Sequence, residues 1–182
     1  MRIIVTGGAG FIGTNLVKRL IVEGHDVVSL DNYSTGKRSN EQDGCEYITG
    51  DINDKSLSLE GYDVIFHIAA LARIQPSLKD PSKCVEANVN GTLNILNLAR
   101  NYNIPVIYAG SSSVHHGLYG SPYAWSKHAG EQLCELFSSA FELDTTICRF
   151  YNVYGPHQLE EGDYSTVLGI YERQYRNSEP LT

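Results

Sequence analysis

The chain has 182 residues, enough for one domain with a substantial core. Hydrophobic residues make up 42% and charged residues 19%, which excludes a disordered or collagen-like chain and fits a globular one. With 14 basic against 21 acidic residues the net charge is −7, which argues against nucleic acid or an anionic membrane surface as a general partner.

In chain order, Arg2-Ile3-Ile4-Val5 reads as a short buried strand. Gly7, Gly10 and Gly13 follow in a G-x-x-G-x-x-G turn, and Leu16, Val17, Leu20 and Ile21 then share one helical face. This is the setting of a dinucleotide-binding turn. The first glycine permits the tight turn, the second a close approach to a pyrophosphate, and the third close packing of helix on strand. The helix N-terminus offers free N–H groups and the positive end of its dipole to the phosphates. The next strand, Asp26 to Leu30, ends at Asp31, an acid placed where a ribose diol needs one.

A polar loop rich in Ser, Asn and Gly runs from Asn32 to Gly44, and Cys45 to Thr49 forms a short strand. Asp63 to Ile68 is nearly all apolar, as a parallel strand buried on both faces would be. A long helix is predicted from about Pro81 to Tyr102, with Val85, Val89, Leu93, Leu96 and Ala99 as its stripe. Strand Val106 to Ala109, a helix from about Tyr123 to Phe141, and strand Thr145 to Phe150 follow. Asp163 to Asn177 is a weaker helical pattern. Strict strand–helix alternation predicts an α/β fold, a Rossmann-type doubly wound parallel sheet, with its ligand at the carboxyl ends of the strands.

Residue 2 already opens a strand, no signal peptide precedes it, and no long apolar run follows, so a cytoplasmic chain without a membrane span is expected. Cys45, Cys84, Cys134 and Cys148 show no metal spacing and read as reduced thiols. The pair His115-His116 lacks carboxylate or cysteine support, so no metal site is expected there.

Tyr123-Ala124-Trp125-Ser126-Lys127 carries the second signal. Tyr and Lys four apart share one helical face, and an ammonium beside a phenol favours the phenolate. Such a tyrosine can take a proton from a hydroxyl as hydride leaves the carbon. Among Ser111, Ser112 and Ser113 at the end of the preceding strand, one serine can hydrogen-bond the reacting oxygen.

At this point the chain resembles the extended short-chain dehydrogenase/reductase family, the NAD-dependent nucleotide-sugar epimerases and dehydratases. The matching stretches are TGGAGFIG, LDNYSTGKRSN, GDI, FHIAA, NVNGTLNIL, SSSV, PYAWSK and RFYNVYGPHQ, in family order over nearly the whole chain. The resemblance implies an NAD-dependent epimerase acting at the 4-position of a UDP-hexose through a 4-keto intermediate. It implies that Gly7, Gly10, Phe11, Ile12 and Gly13 hold the pyrophosphate, that Asp31 and Asn32 hold the adenosine ribose, and that Asp51 and Ile52 flank the adenine. Ala69, Ala70, Asn88 and Tyr151 would lie along the cofactor, and Lys127 would hold the nicotinamide ribose. Tyr123 would be the base, Ser111 the catalytic serine with Ser112 as the alternative, and Asn152 a contact to the sugar nucleotide. It also implies a homodimer through the 81–102 and 123–141 helices, where Leu93, Leu96, Leu133, Leu136 and Phe137 offer apolar surface.

Three departures from the family pattern bear on this. The Asp-Glu pair of the dehydratases and the Glu of the related decarboxylases are replaced by Ser112-Ser113, which favours epimerisation or simple redox chemistry over water elimination. The stretch from Ser111 to Tyr123 is about half the family's length, with His115-His116 where Tyr-Gly is expected. And the sequence stops where the family continues into a small domain that grips the nucleotide. The expected organisation is therefore an NAD-binding domain at 1–155 and, at 156–182, the start of a truncated substrate-binding region, a chain that binds NAD and shows little turnover alone. A nucleotide-sugar or other carbonyl reductase, and a cofactor-binding module without turnover, are the alternatives.

Overall fold

Six strands form one all-parallel sheet in the order β3-β2-β1-β4-β5-β6 in the computed structural model, which describes residues 1–181. Thr182, the end of the expected second region, and the side chain of His116 lie outside the described residues. The strands are β1 (Arg2–Thr6), β2 (Asp26–Asp31), β3 (Cys45–Thr49), β4 (Val64–His67), β5 (Val106–Ser111) and β6 (Thr145–Phe150).

Alternation along β1 sets the two layers. Ile4 points to one face, where it joins Leu30, Ile65, Ile95, Leu96, Tyr108 and Phe137. Ile3 and Val5 point to the other, against Val17 and Leu20 of α1 (Phe11–Val22). Each aliphatic chain so buried contributes about 1.5–3 kcal/mol. Both faces of the central strands β1, β4 and β5 are covered, so these read as nearly continuous apolar runs. The chain leaves β1 outward to β3 and then returns to β4 on the other side of β1. That reversal opens a crevice above the carboxyl ends of β1 and β4.

The helix predicted over 81–102 is present in three pieces: α3 (Pro81–Val85), a π turn (Glu86–Asn90) and α4 (Gly91–Tyr102). The π turn coincides with buried Asn88, whose amide is bound to the backbone of Leu71. The second long helix, α5 (Pro122–Phe141), is capped by Ser121, whose Oγ accepts from the Ala124 N–H at 3.1 Å. β5 runs two residues past the predicted Ala109, to Ser111. The weak pattern over 163–177 becomes helical only at Val167, because Thr166 caps α6 (Val167–Arg176) by accepting from the Gly169 N–H. A short helix, α2 (Ile74–Lys79), and a 3₁₀ turn (Ser112–His116) were not anticipated. Leu96 and Phe137 belong to the core, whereas Leu93 and Leu136 are exposed. No helix among the described residues is long and apolar enough to cross a membrane.

Candidate active site

A cleft of about 750 Å³ lies across the carboxyl ends of all six strands. Its floor at β1 is the glycine turn. Gly7 adopts φ +75°, and a Cβ there would stand 2.8 Å from the Ala69 backbone. A Cβ on Gly13 would stand 2.0 Å from the Gly7 carbonyl oxygen, with no side chain able to yield. The turn and α1 thus meet at backbone distance, and no side chain caps the α1 N-terminus, which opens into the cleft with Gly10, Phe11 and Ile12. An anion can occupy that cap position.

At the end of β2, Asp31 is buried. Its Oδ2 accepts from the Ala9 N–H at 2.9 Å and its Oδ1 from the Tyr33 N–H at 2.8 Å, which fixes the carboxylate against the glycine turn. Each oxygen keeps lone pairs for a further donor such as a hydroxyl. Asn32 donates to Asp51 Oδ2 at 2.9 Å, tying the ends of β2 and β3 together. Burial raises the Asp51 carboxyl, but the Asn53 N–H and the Asn32 and Asn53 amides outweigh it and hold the group below its ordinary value. Asp31, Asn32, Asp51 and Ile52 all line the cleft, as do Ala69 and Ala70 at the end of β4.

The other end of the cleft, with Ser111 and Tyr123, sits between β5 and α5. Ser111 Oγ lies 3.2 Å from the Tyr123 hydroxyl and 2.9 Å from Ser113 Oγ. Ser112 also lines the cleft, and the Tyr123 contact is made by Ser111. One turn on from Tyr123, Lys127 is buried with its ammonium 4.2 Å from the centroid of the Tyr108 ring. Burial pushes Lys127 down to about 8, against the pull of Cys134, Glu131 and Cys84. Buried Glu131, two turns beyond Tyr123, accepts from the Ser111 N–H at 3.1 Å and pairs with Arg149 at 2.8 Å. Ser77 of α2 accepts from the Tyr123 N–H at 3.1 Å.

Behind the cleft a buried polar chain joins its two halves. Thr6 Oγ1 meets His67 Nδ1 at 2.7 Å, and His67 Nε2 meets Thr92 Oγ1 at 3.0 Å. Thr92 donates its proton to the Asn88 carbonyl, so His67 carries its hydrogen on Nε2. Burial, and then the charge of Lys127, pushes His67 down to about 3, which keeps it neutral. The Asn88 amide donates to Ser126 Oγ at 3.0 Å, and Ser126 donates to the Tyr123 carbonyl at 2.9 Å. Asn88 is buried behind the cleft wall and positions the Leu71 loop and α5. Tyr151 is exposed and stacks on His115 with ring centroids 6.3 Å apart, next to the turn at Asn152, where φ is +45°. Asn152 itself lines the cleft.

Sequence reasoning missed Arg73, Tyr164 and the residues 165–168, which close the cleft over the Tyr123 end. α2 is too short to show a period, and the stretch 151–166 carries none. Among the described residues no group of three or more His, Cys, Asp or Glu gathers as a metal site would require, and the four cysteines are free.

The sequence model of the NAD dependent epimerase/dehydratase family matches residues 3–182. A protein named putative UDP-glucose 4-epimerase from Methanocaldococcus jannaschii is 32% identical over 197 aligned positions, covering 98% of this chain and 65% of its own length. The crystal structure of UDP-glucose 4-epimerase with UDP-glucose from Thermotoga maritima superposes with a TM-score of 0.93 at 30% identity, covering 98% of this chain and 64% of that one. That of the Thermus thermophilus UDP-glucose 4-epimerase complexed with NAD gives 0.88 at 33% identity, covering 99% and 64%. The chain thus spans slightly under two thirds of the relatives it matches.

Proposed function

The chain belongs to the NAD dependent epimerase/dehydratase family, and from that premise we propose that it is the NAD-binding and catalytic part of a nucleotide-sugar epimerase acting at the 4-position of a UDP-hexose. The observation that carries this reading is the placement of Ser111, Tyr123 and Lys127 in the same cleft as the glycine turn and Asp31. The glycine cradle and the uncapped α1 N-terminus fit the diphosphate of NAD, and Asp31 fits its adenosine ribose. Bound NAD supplies a hydride acceptor that returns the hydride later in the same cycle.

The side chains do the rest. Tyr123 removes the proton of the sugar 4-hydroxyl as the carbon is oxidised, and returns it when the 4-keto sugar is reduced on its other face. Ser111 hydrogen-bonds the same oxygen as its charge changes. Lys127 is buried one turn from Tyr123, where its positive charge stabilises the tyrosinate, and it would hold the nicotinamide ribose of bound NAD. Ser112 and Ser113, in place of an Asp-Glu pair, leave no acid and base for eliminating water, which favours epimerisation over dehydration within the family. Residues 1–155 are assigned to the cofactor half and the following residues to the start of the sugar-nucleotide half. Exposed Leu93 and Leu136, on α4 and α5, are assigned to a two-fold homodimer, and the free thiols to a cytoplasmic protein.

Incubating the NAD-loaded protein with UDP-galactose, with no added reductant, tests the reading. UDP-glucose should form, and Tyr123→Phe should form none. A requirement for added NADH would make the protein a reductase. Cofactor binding with no conversion of any sugar nucleotide would make it a binding module.

A further inference from the structure

Arg73 precedes α2 and lines the cleft at the end that holds Tyr123 and Ser111. Its Nε donates to the Tyr164 carbonyl at 3.1 Å, so the side chain reaches across the cleft mouth from one wall to the other. α2 is fastened to the catalytic helix, because Ser77 on it accepts from the Tyr123 N–H. The guanidinium has five donors, and two of its nitrogens meet backbone carbonyls, those of Tyr164 and Ala72. Among the described residues no carboxylate pairs with it. Arg2, Arg19, Arg38, Arg149, Arg173 and Arg176 each have a carboxylate partner, and Arg100, which has none among the described residues, lies over the Phe141 ring outside the cleft. Burial lowers Arg73 from its ordinary value. A part-buried cation without a counter-ion, in a ligand cleft, is costly unless the ligand brings the anion.

We propose that Arg73 selects sugar nucleotides whose hexose carries a carboxylate, pairing with that carboxylate beside Tyr123. The proposal rests on the epimerase reading above and narrows its substrate from a UDP-hexose to a UDP-hexuronate. The position decides between the two anions a sugar nucleotide can offer. In a pyranose, C5 with its C6 substituent adjoins C4, whereas the diphosphate hangs from C1 across the ring. Arg73 lines the Tyr123 end of the cleft at the start of α2, which Ser77 fastens to the Tyr123 N–H, and so stands on the C4 side of the ring, the side that carries C6. The planar fork of arginine also suits a carboxylate in a bidentate pair.

The test is the ratio of affinities for UDP-glucuronate and UDP-glucose, with UDP as the third ligand, titrated calorimetrically into the NAD-saturated protein. Wild type should prefer UDP-glucuronate by about 10–100-fold, the effect of one charge-assisted hydrogen-bonded pair. Arg73→Ala should bring the ratio close to one, and Arg73→Lys should keep part of it. A ratio near one in wild type, or an unchanged ratio in Arg73→Ala, overturns the proposal while UDP-glucose binding leaves the epimerase reading standing. An equal loss for all three ligands in Arg73→Ala assigns the arginine to the diphosphate and also overturns it. Failure of the NAD-loaded protein to bind any of the three overturns both.

Discussion

Glu131 holds Ser111 to α5, and its removal has a calculable cost. In Glu131→Ala the Ser111 N–H loses its acceptor inside the protein. A buried donor left unpaired costs about 1–3 kcal/mol. The methylene and carboxyl removed from this buried position add on the order of 1 kcal/mol of lost packing. Arg149, whose side chain is 41% exposed, returns to water and adds little. The expected loss is about 2–4 kcal/mol, or a drop in Tm of about 5–15 °C for a domain of this size. Glu131→Gln keeps an oxygen for the Ser111 N–H and gives up only the ion pair, so it should cost about 1 kcal/mol. Urea denaturation of both variants, with Arg149→Ala alongside, reads these differences. If Gln costs as much as Ala, or Arg149→Ala costs as much as Glu131→Ala, then the ion pair and not the serine tether carries the energy, and the reasoning fails.

Asp31→Ala should weaken NAD by about 10–100-fold, the worth of hydrogen bonds to a charged group. The native chain should bind NADP far more weakly than NAD, because Arg38 is already engaged by Glu41, Thr49 and the Tyr33 ring; calorimetric titration of both cofactors checks this. His67 gives a pH dependence. Its folded value near 3 lies below the ordinary 6.5, so the unfolded chain binds the proton first, and this contribution is complete above pH 6.5 and is lost as pH falls toward 3. The slope is about 1.4 kcal/mol per pH unit within that window, and His67→Gln should flatten it in denaturation curves taken across pH. Sedimentation at micromolar concentration should return twice the chain mass, and Leu136→Lys, at an exposed position, should return one.

The parts of the site that were legible in the sequence are those whose chemistry is local. The glycine turn is written in consecutive residues because backbone must approach backbone there, as the Gly13–Gly7 contact shows. Tyr123 and Lys127 are one helical turn apart, so spacing alone puts them on one face. The family pattern puts Ser111 ahead of Ser112, and the register of β5 brings the Ser111 hydroxyl to Tyr123. The inward-facing amide of Asn88 was not legible, because it sits in a π turn, and a π turn leaves no mark on the apolar period of the helix. Arg73 and Tyr164 lie 91 residues apart in sequence, and nothing short of the folded chain brings them together.

The central claim is that the glycine turn and the Tyr123 end form one NAD site. Calorimetric titration of NAD into the native chain, Gly13→Ala and Tyr123→Phe tests it most directly. The account predicts one saturable site in the native chain. It predicts loss of binding in Gly13→Ala, where a Cβ has 2.0 Å of space against the Gly7 carbonyl oxygen, and retained binding in Tyr123→Phe, which keeps the cradle and Asp31. No binding by the native chain, or equal binding by Gly13→Ala, would contradict it.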